Sequence, residues 1–122
     1  MKRRCSTSRR SSTVRFRHML DHAREAVMLA AGKAEGDLRN NRLLQLGLVR
    51  LVEIIGEAAA GVPPEERQQH PEIPWGDVIG MRNKLIHGYD SVDLDILWDT
   101  VTNELPGLVR TVEAILSTKG AE

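Results

Sequence analysis

Arg82, His87 and Tyr89 fall within one eight-residue stretch, Arg82-Asn83-Lys84-Leu85-Ile86-His87-Gly88-Tyr89. A guanidinium stays charged at any physiological pH, and its planar fork matches phosphate oxygens. An imidazole gives or takes a proton near neutrality. A cation, an acid–base group and a phenol this close together are the parts needed to cut a phosphodiester without a metal. Taken alone, Arg-x4-His is a weak signal. For the pair alone, a surface arginine and a histidine capping a helix C-terminus, where a cation is favoured, are the simpler account.

These side chains must be positioned by helices. Phe16, Met19/Leu20, Ala23, Ala26/Val27 and Ala30 recur at three-to-four spacing and predict a first helix over 14–31. Asp37 or Asn40 can cap a second helix that runs to Ala60, with the stripe Leu44, Gly47/Leu48, Leu51, Ile54/Ile55 and Ala58. That helix is apolar on more than one side, so it belongs at the centre. Gly61 and Pro63-Pro64 stop it, and Pro64 opens one short helical turn to His70. A third helix is expected over Trp75–His87, ended by Gly88. A fourth, capped by Asp93, is expected over Leu94–Leu116 with a kink or break at Pro106-Gly107. On an ideal helix Arg82 and His87 stand roughly 140° apart, so they converge only if Gly88 lets the last turn open. No strand pattern or internal repeat competes. The fold class expected is all-α, a four-helix up-down bundle with a short extra helical turn.

With 122 residues, 41% hydrophobic and 28% charged, the chain reads as one globular domain. Aromatics are only 3%, so the core must be aliphatic. The lone Cys5 excludes an internal disulfide and a thiolate metal cluster, which suits a reducing, cytoplasmic setting. No apolar run reaches the length of a membrane span, and no secretory signal is visible, so no membrane partner is expected. The net charge of zero hides an asymmetry. Residues 1–17 hold seven of the 17 basic residues and no acid, which leaves a body of ten bases against 17 acids. Residues 1–13, rich in Ser, Thr and Arg, read as a disordered basic tail, 14–117 as the helical domain and 118–122 as a C-terminal tail.

Around the Arg/His pair stand further characteristic segments. They are Leu51-Val52-Glu53-Ile54-Ile55-Gly56-Glu57-Ala58-Ala59, His70-Pro71-Glu72-Ile73-Pro74-Trp75, Gly80-Met81-Arg82-Asn83, Val92-Asp93-Leu94 and Glu104-Leu105-Pro106. With Arg82, His87 and Tyr89 meeting an Arg-x4-His-x-Tyr hallmark, the chain resembles the HepT-like ribonuclease toxins of the HEPN superfamily over about residues 14–117. The resemblance implies an all-helical homodimer whose motif lines a cleft between protomers. It implies metal-independent endoribonuclease activity on an RNA substrate, tRNA among the candidates, with no cofactor. It also implies a partner, a nucleotidyltransferase antitoxin of the MntA type, that adenylylates the motif tyrosine, here Tyr89.

The residues fit that chemistry. Cleavage through the 2′-hydroxyl needs one proton removed, one proton delivered and the extra negative charge at phosphorus stabilised. Arg82 is the candidate for the phosphate, and His87 for general base or acid. One histidine cannot easily hold both roles at once, whereas a symmetric dimer brings two to one groove. Asn83 can support the site by orienting His87 or touching phosphate, or can be a plain surface residue. Lys84 reads as solvated, and Leu85 and Ile86 as core. AMP on Tyr89 would put bulk and negative charge beside the cation.

Other groups carry less. His18 and His22 have the i, i+4 spacing of a zinc pair but no third ligand, and read as surface histidines. Glu53 and Glu57 share a helix face. Asp90, Asp93, Asp95 and Asp99 count like a metal cluster but sit where a helix N-terminus favours acids. Two alternatives to the nuclease remain at this point. One is a silent helical module that binds and regulates a nucleotidyltransferase. The other is a nucleotide-binding domain that uses Arg82 without His87.

Overall fold

The structure, a computed structural model, describes residues 2–87 and 91–119, with side chains over 12–86 and 91–118. Seven α-helices follow one another: α1 (Lys2–Ala30), α2 (Glu35–Arg39), α3 (Arg42–Ala60), α4 (Pro64–Gln68), α5 (Trp75–Leu85), α6 (Leu94–Asp99) and α7 (Leu105–Lys119). A π-helical turn, Thr100–Glu104, joins α6 to α7 into one rod. The fold is therefore an all-α bundle of four main members, α1, α3, α5 and the α6–α7 rod. α1 packs on α3 and α7, and α3 on α5.

The stripe expected on α1 is the buried one. Phe16, Met19, Ala23 and Ala26 are fully enclosed. α3 is central, as its breadth of apolar residues requires: Leu48, Val52, Ile55 and Ala59 are all sealed from solvent. α1 continues back through the stretch read as a tail. Packing reaches at least to Ser12, which is buried and donates to the Glu66 carboxylate. The boundary at residue 13 thus falls at the limit of the described side chains, and residues 120–122 lie outside the described set.

Three expectations change. The second helix is two, because the chain turns at Asn40. Asn41 rather than Asn40 caps α3, its side chain accepting from the Leu44 N–H at 3.0 Å. Asp37 instead lies within α2 and accepts from the Ala34 N–H at 2.7 Å.

The third helix stops at Leu85, two residues early. The Asp93 N–H takes the Leu85 carbonyl at 2.7 Å, and Ile86 is extended at φ −94°, ψ 121°. Two short strands follow, β1 (Ile86–His87) and β2 (Ser91–Val92). They pair antiparallel as Ile86 with Val92 and His87 with Ser91, a ladder the sequence pattern does not announce.

The break expected at Pro106 becomes the π turn. Pro106 has no N–H to return to the preceding turn. The widened turn just ahead of it absorbs that loss, with the Leu105 N–H reaching back to the Thr100 carbonyl. Gly61 ends α3 as expected, with its backbone at φ −82°. Its missing side chain leaves room for the Arg15 guanidinium, which a Cβ there would strike.

The 61–74 connector is firmly tied, and this sets where α5 begins. Arg67 donates to the Val62 carbonyl at 2.8 Å and the Ala60 carbonyl at 3.0 Å. The Trp75 indole N–H is shared between the carbonyls of His70 and Arg67 at 3.0 and 3.1 Å. Phe16 meets the His70 ring edge-on at 5.3 Å and lies 6.0 Å from the Trp75 ring.

Candidate active site at the end of α5

Arg82 sits in the last turn of α5, half exposed, and its Nε donates to Glu53 Oε2 on α3 at 2.6 Å. That distance is short and charge-assisted. The other carboxylate oxygen of Glu53 accepts from the Arg50 guanidinium at 3.4 Å. Glu53 is only 23% exposed, against 49% for Arg82 and 62% for Arg50. A partly sunken carboxylate therefore holds two more exposed cations, one from each helix.

What brings the two helices this close is Gly56. A Cβ there would stand 3.3 Å from the carbonyl oxygens of both Val78 and Ile79. α3 thus lies against the α5 backbone itself, one turn from Glu53. Asn83 is exposed beside Arg82. Lys84 is also exposed, but its ammonium faces the Asp77 carboxylate at 3.5 Å.

His87 is not on the helix that carries Arg82. Its backbone lies in β1, two residues beyond the end of α5. The chain has already left helical geometry at Ile86, so the separation expected on an ideal helix does not apply. The His87 side chain, Gly88, Tyr89 and Asp90 lie outside the described residues.

The remaining candidates have structural roles. The His22 Nδ1–H donates to the His18 carbonyl at 2.7 Å, within their own helix. Asp93 caps α6, accepting from the Ile96 N–H at 3.0 Å. Asp95 pairs with Arg39, and Asp99 accepts from Asn103 at 2.7 Å. The Glu35 carboxylate foremost, and then Asp95, push the Arg39 guanidinium above its ordinary range, tying α2 to α6. Glu57, the other half of the suspected carboxylate pair, is exposed one turn beyond Glu53. Among the described residues, no three His, Cys, Asp or Glu side chains converge as metal ligands. No helix among them is long and apolar enough to cross a membrane.

A cavity of about 330 Å³ opens between α5 and α7. It is lined by the carboxylates Glu72, Asp77 and Glu104 over apolar groups such as Val78, Met81 and Leu105, with no basic side chain. Three carboxylates repel a polyanion, so this cavity does not suit a phosphate.

Neither Arg50 nor the contact that Glu53 makes stands out in the sequence. The Arg50–Glu53 spacing, i to i+3, is visible on paper. The Glu53–Arg82 contact joins residues 29 apart and follows only from the packing of α3 on α5.

Comparison with known proteins identifies a family. The family model "Ribonuclease HepT-like" matches residues 18–115. A "putative RNase" of Caldanaerobacter subterraneus subsp. tengcongensis is 37% identical over 99 residues, 81% of this chain and 88% of that protein. A "probable ribonuclease HepT" of Thermococcus cleftensis is 43% identical over 79 residues, 65% of this chain and 72% of that one. A "putative RNase" of Methanocaldococcus jannaschii is 30% identical over 97 residues, 80% and 89% of the two chains. No solved structure matches significantly. With a family match across nearly the whole bundle, and a paired arginine at the end of α5 where the motif begins, the chain belongs to the HepT-like ribonuclease family and is an endoribonuclease.

Proposed function

We propose that this ribonuclease is the toxin of a toxin–antitoxin pair and cuts RNA through the substrate's own 2′-hydroxyl. The 2′-oxygen attacks the adjacent phosphorus as its proton passes to a base. The bond from phosphorus to the 5′-oxygen breaks, and that oxygen takes up a proton. The products are a 2′,3′-cyclic phosphate and a 5′-hydroxyl. Arg82 binds the scissile phosphate and stabilises the charge that builds on it. His87 is the acid–base group, with its symmetry mate supplying the second proton transfer. Asn83 supports the site. The observation that carries this reading is the guanidinium of Arg82. It is half exposed and fixed through Nε, on the helical turn that leads straight into His87.

The partner is a nucleotidyltransferase antitoxin of the MntA type, and its target is Tyr89. Adenylylation there sets a phosphate anion seven residues after Arg82, which neutralises the cation RNA requires. The test is expression of the chain with excess chelator in the cleavage assay, with and without a co-expressed nucleotidyltransferase of the MntA type. Alone, the protein should arrest growth and leave cyclic-phosphate ends. Beside the active transferase, its intact mass should rise by whole AMP units, and the Tyr89→Phe variant should gain none. RNA left intact by the chain alone would defeat the nuclease assignment. An unchanged mass would defeat the antitoxin assignment.

The active form is a homodimer. Leu43 and Leu46 are 80% and 51% exposed, on the same face of α3 as Arg50 and Glu53 by helical spacing. Exposed leucines continuous with the site favour a second copy as their cover. The Leu43→Glu/Leu46→Glu variant should sediment at monomer mass and lose at least about tenfold in kcat/KM, since each monomer then keeps one His87. A fully active monomer would overturn this.

A further inference from the structure

Arg82 is not the only cation that Glu53 holds. Oε2 of Glu53 accepts from Arg82 Nε at 2.6 Å, while Oε1 accepts from an Arg50 terminal nitrogen at 3.4 Å. Two guanidinium groups from two helices therefore flank one carboxylate on the same exposed face. The trio carries a net positive charge on a body that is otherwise acidic. Arg82 is engaged through Nε, so the terminal fork that suits a phosphate is not what Glu53 consumes. The carboxylate stands between the two cations, so a single phosphate cannot nestle between them. Two separate phosphates can each take one.

We propose that Arg50, Glu53 and Arg82 form a subsite for two phosphates of one RNA strand. Arg82 takes the scissile phosphate and Arg50 takes a neighbouring one. Glu53 is the positioning residue that holds Arg82 by its Nε and keeps the two cations apart. This rests on Arg82 being the residue that binds the scissile phosphate. An isolated exposed ion pair would contribute little. What distinguishes this one is that Glu53 is the least exposed of the three and spans two helices held together at Gly56.

The test is cleavage of a labelled single-stranded RNA by the full chain across a range of salt, comparing wild type with Arg50→Gln, Glu53→Gln, Glu53→Leu and Arg82→Ala. Thermal denaturation checks that each variant folds. Arg50→Gln should raise KM about fivefold or more, with the loss falling on KM rather than kcat. It should also reduce the slope of log(1/KM) against log salt by about 0.7, the value of one single-strand phosphate contact. Glu53→Leu should lower kcat about tenfold, because Arg82 loses its anchor. Glu53→Gln, whose amide oxygen still accepts from Nε, should restore most of that loss. Arg50→Gln with the KM and salt slope of wild type would overturn the two-phosphate subsite. Equal losses in Glu53→Leu and Glu53→Gln, or none in either, would overturn the positioning role. If Glu53→Leu does not fold, the Arg50→Gln result decides the proposal. Arg82→Ala separates the two levels. If it is inactive while Arg50→Gln behaves as wild type, only the subsite falls. If it cleaves at wild-type rate, the assignment of Arg82 falls, and the subsite with it.

Discussion

Replacing Arg82 by Ala should lower kcat for RNA cleavage about 10³-fold, the scale seen when one preorganised charge-stabilising group is removed from a transition state. That corresponds to roughly 4 kcal/mol of barrier. The protein should still fold. The ion pair it forms with Glu53 is half exposed on the arginine side, and such pairs contribute about 1 kcal/mol or less to stability. Glu53 also keeps Arg50 as a partner. Arg82→Lys should remain well below wild type. Lysine restores the charge, but as a point, with no fork for two phosphate oxygens and no Nε for Glu53 to hold. The measurement is single-turnover cleavage of labelled RNA, paired with a melting curve for each variant. A large loss of kcat with a near-native melting temperature places the effect in chemistry. Wild-type cleavage by Arg82→Ala would remove the phosphate-binding role altogether.

The helices and their buried stripes were legible in the sequence because local periodicity encodes them. Phe16, Met19 and Ala23 repeat at helical spacing whatever the rest of the chain does, and they are the residues sealed under α3 and α7. The helix ends were less legible, for reasons that are not local. α5 stops at Leu85 because the Asp93 N–H, eight residues on, takes the carbonyl there. Nothing in Leu85-Ile86-His87 itself reports that partner. The π turn was hidden in the same way. Pro106 announces a disturbance, but whether it becomes a kink or a widened turn depends on how the rod packs against α1.

The site was half legible. Arg82 and His87, a weak signal as a pair, stand out because Tyr89 and the further characteristic segments accompany them. Glu53 does not stand out, because a glutamate on an amphipathic helix is ordinary until another helix brings an arginine to it. The same holds for Gly56, which in the sequence is one glycine among ten. Its importance lies entirely in what faces it.

Gly56→Val should destabilise the fold by about 3 kcal/mol, at the upper end of overpacking penalties, and lower the melting temperature by about 10 °C for a domain of this size. A Cβ at position 56 would already stand 3.3 Å from the carbonyl oxygens of Val78 and Ile79. Those atoms belong to the α5 backbone, so no side chain can swing aside to relieve the contact. The branched methyls of valine would force α5 away from α3. Gly56→Ala is the milder version. It gains about 1 kcal/mol in helix propensity and meets only the tight Cβ contact, so its net effect should be small and on the destabilising side. Gly47, on the same helix, faces open space within 4 Å. Gly47→Ala should therefore stabilise by up to about 1 kcal/mol, and the contrast isolates the close approach from propensity. The functional consequence follows from geometry. Gly56 lies three residues from Glu53, and Val78 lies four residues from Arg82. Opening the gap between the helices thus lengthens the Glu53–Arg82 bond before it unfolds the bundle. Assayed well below its melting temperature, Gly56→Val should be folded by circular dichroism yet lose kcat by about the tenfold expected when Arg82 loses its anchor. A Gly56→Val protein that melts with wild type would mean that α3 and α5 are not in backbone contact.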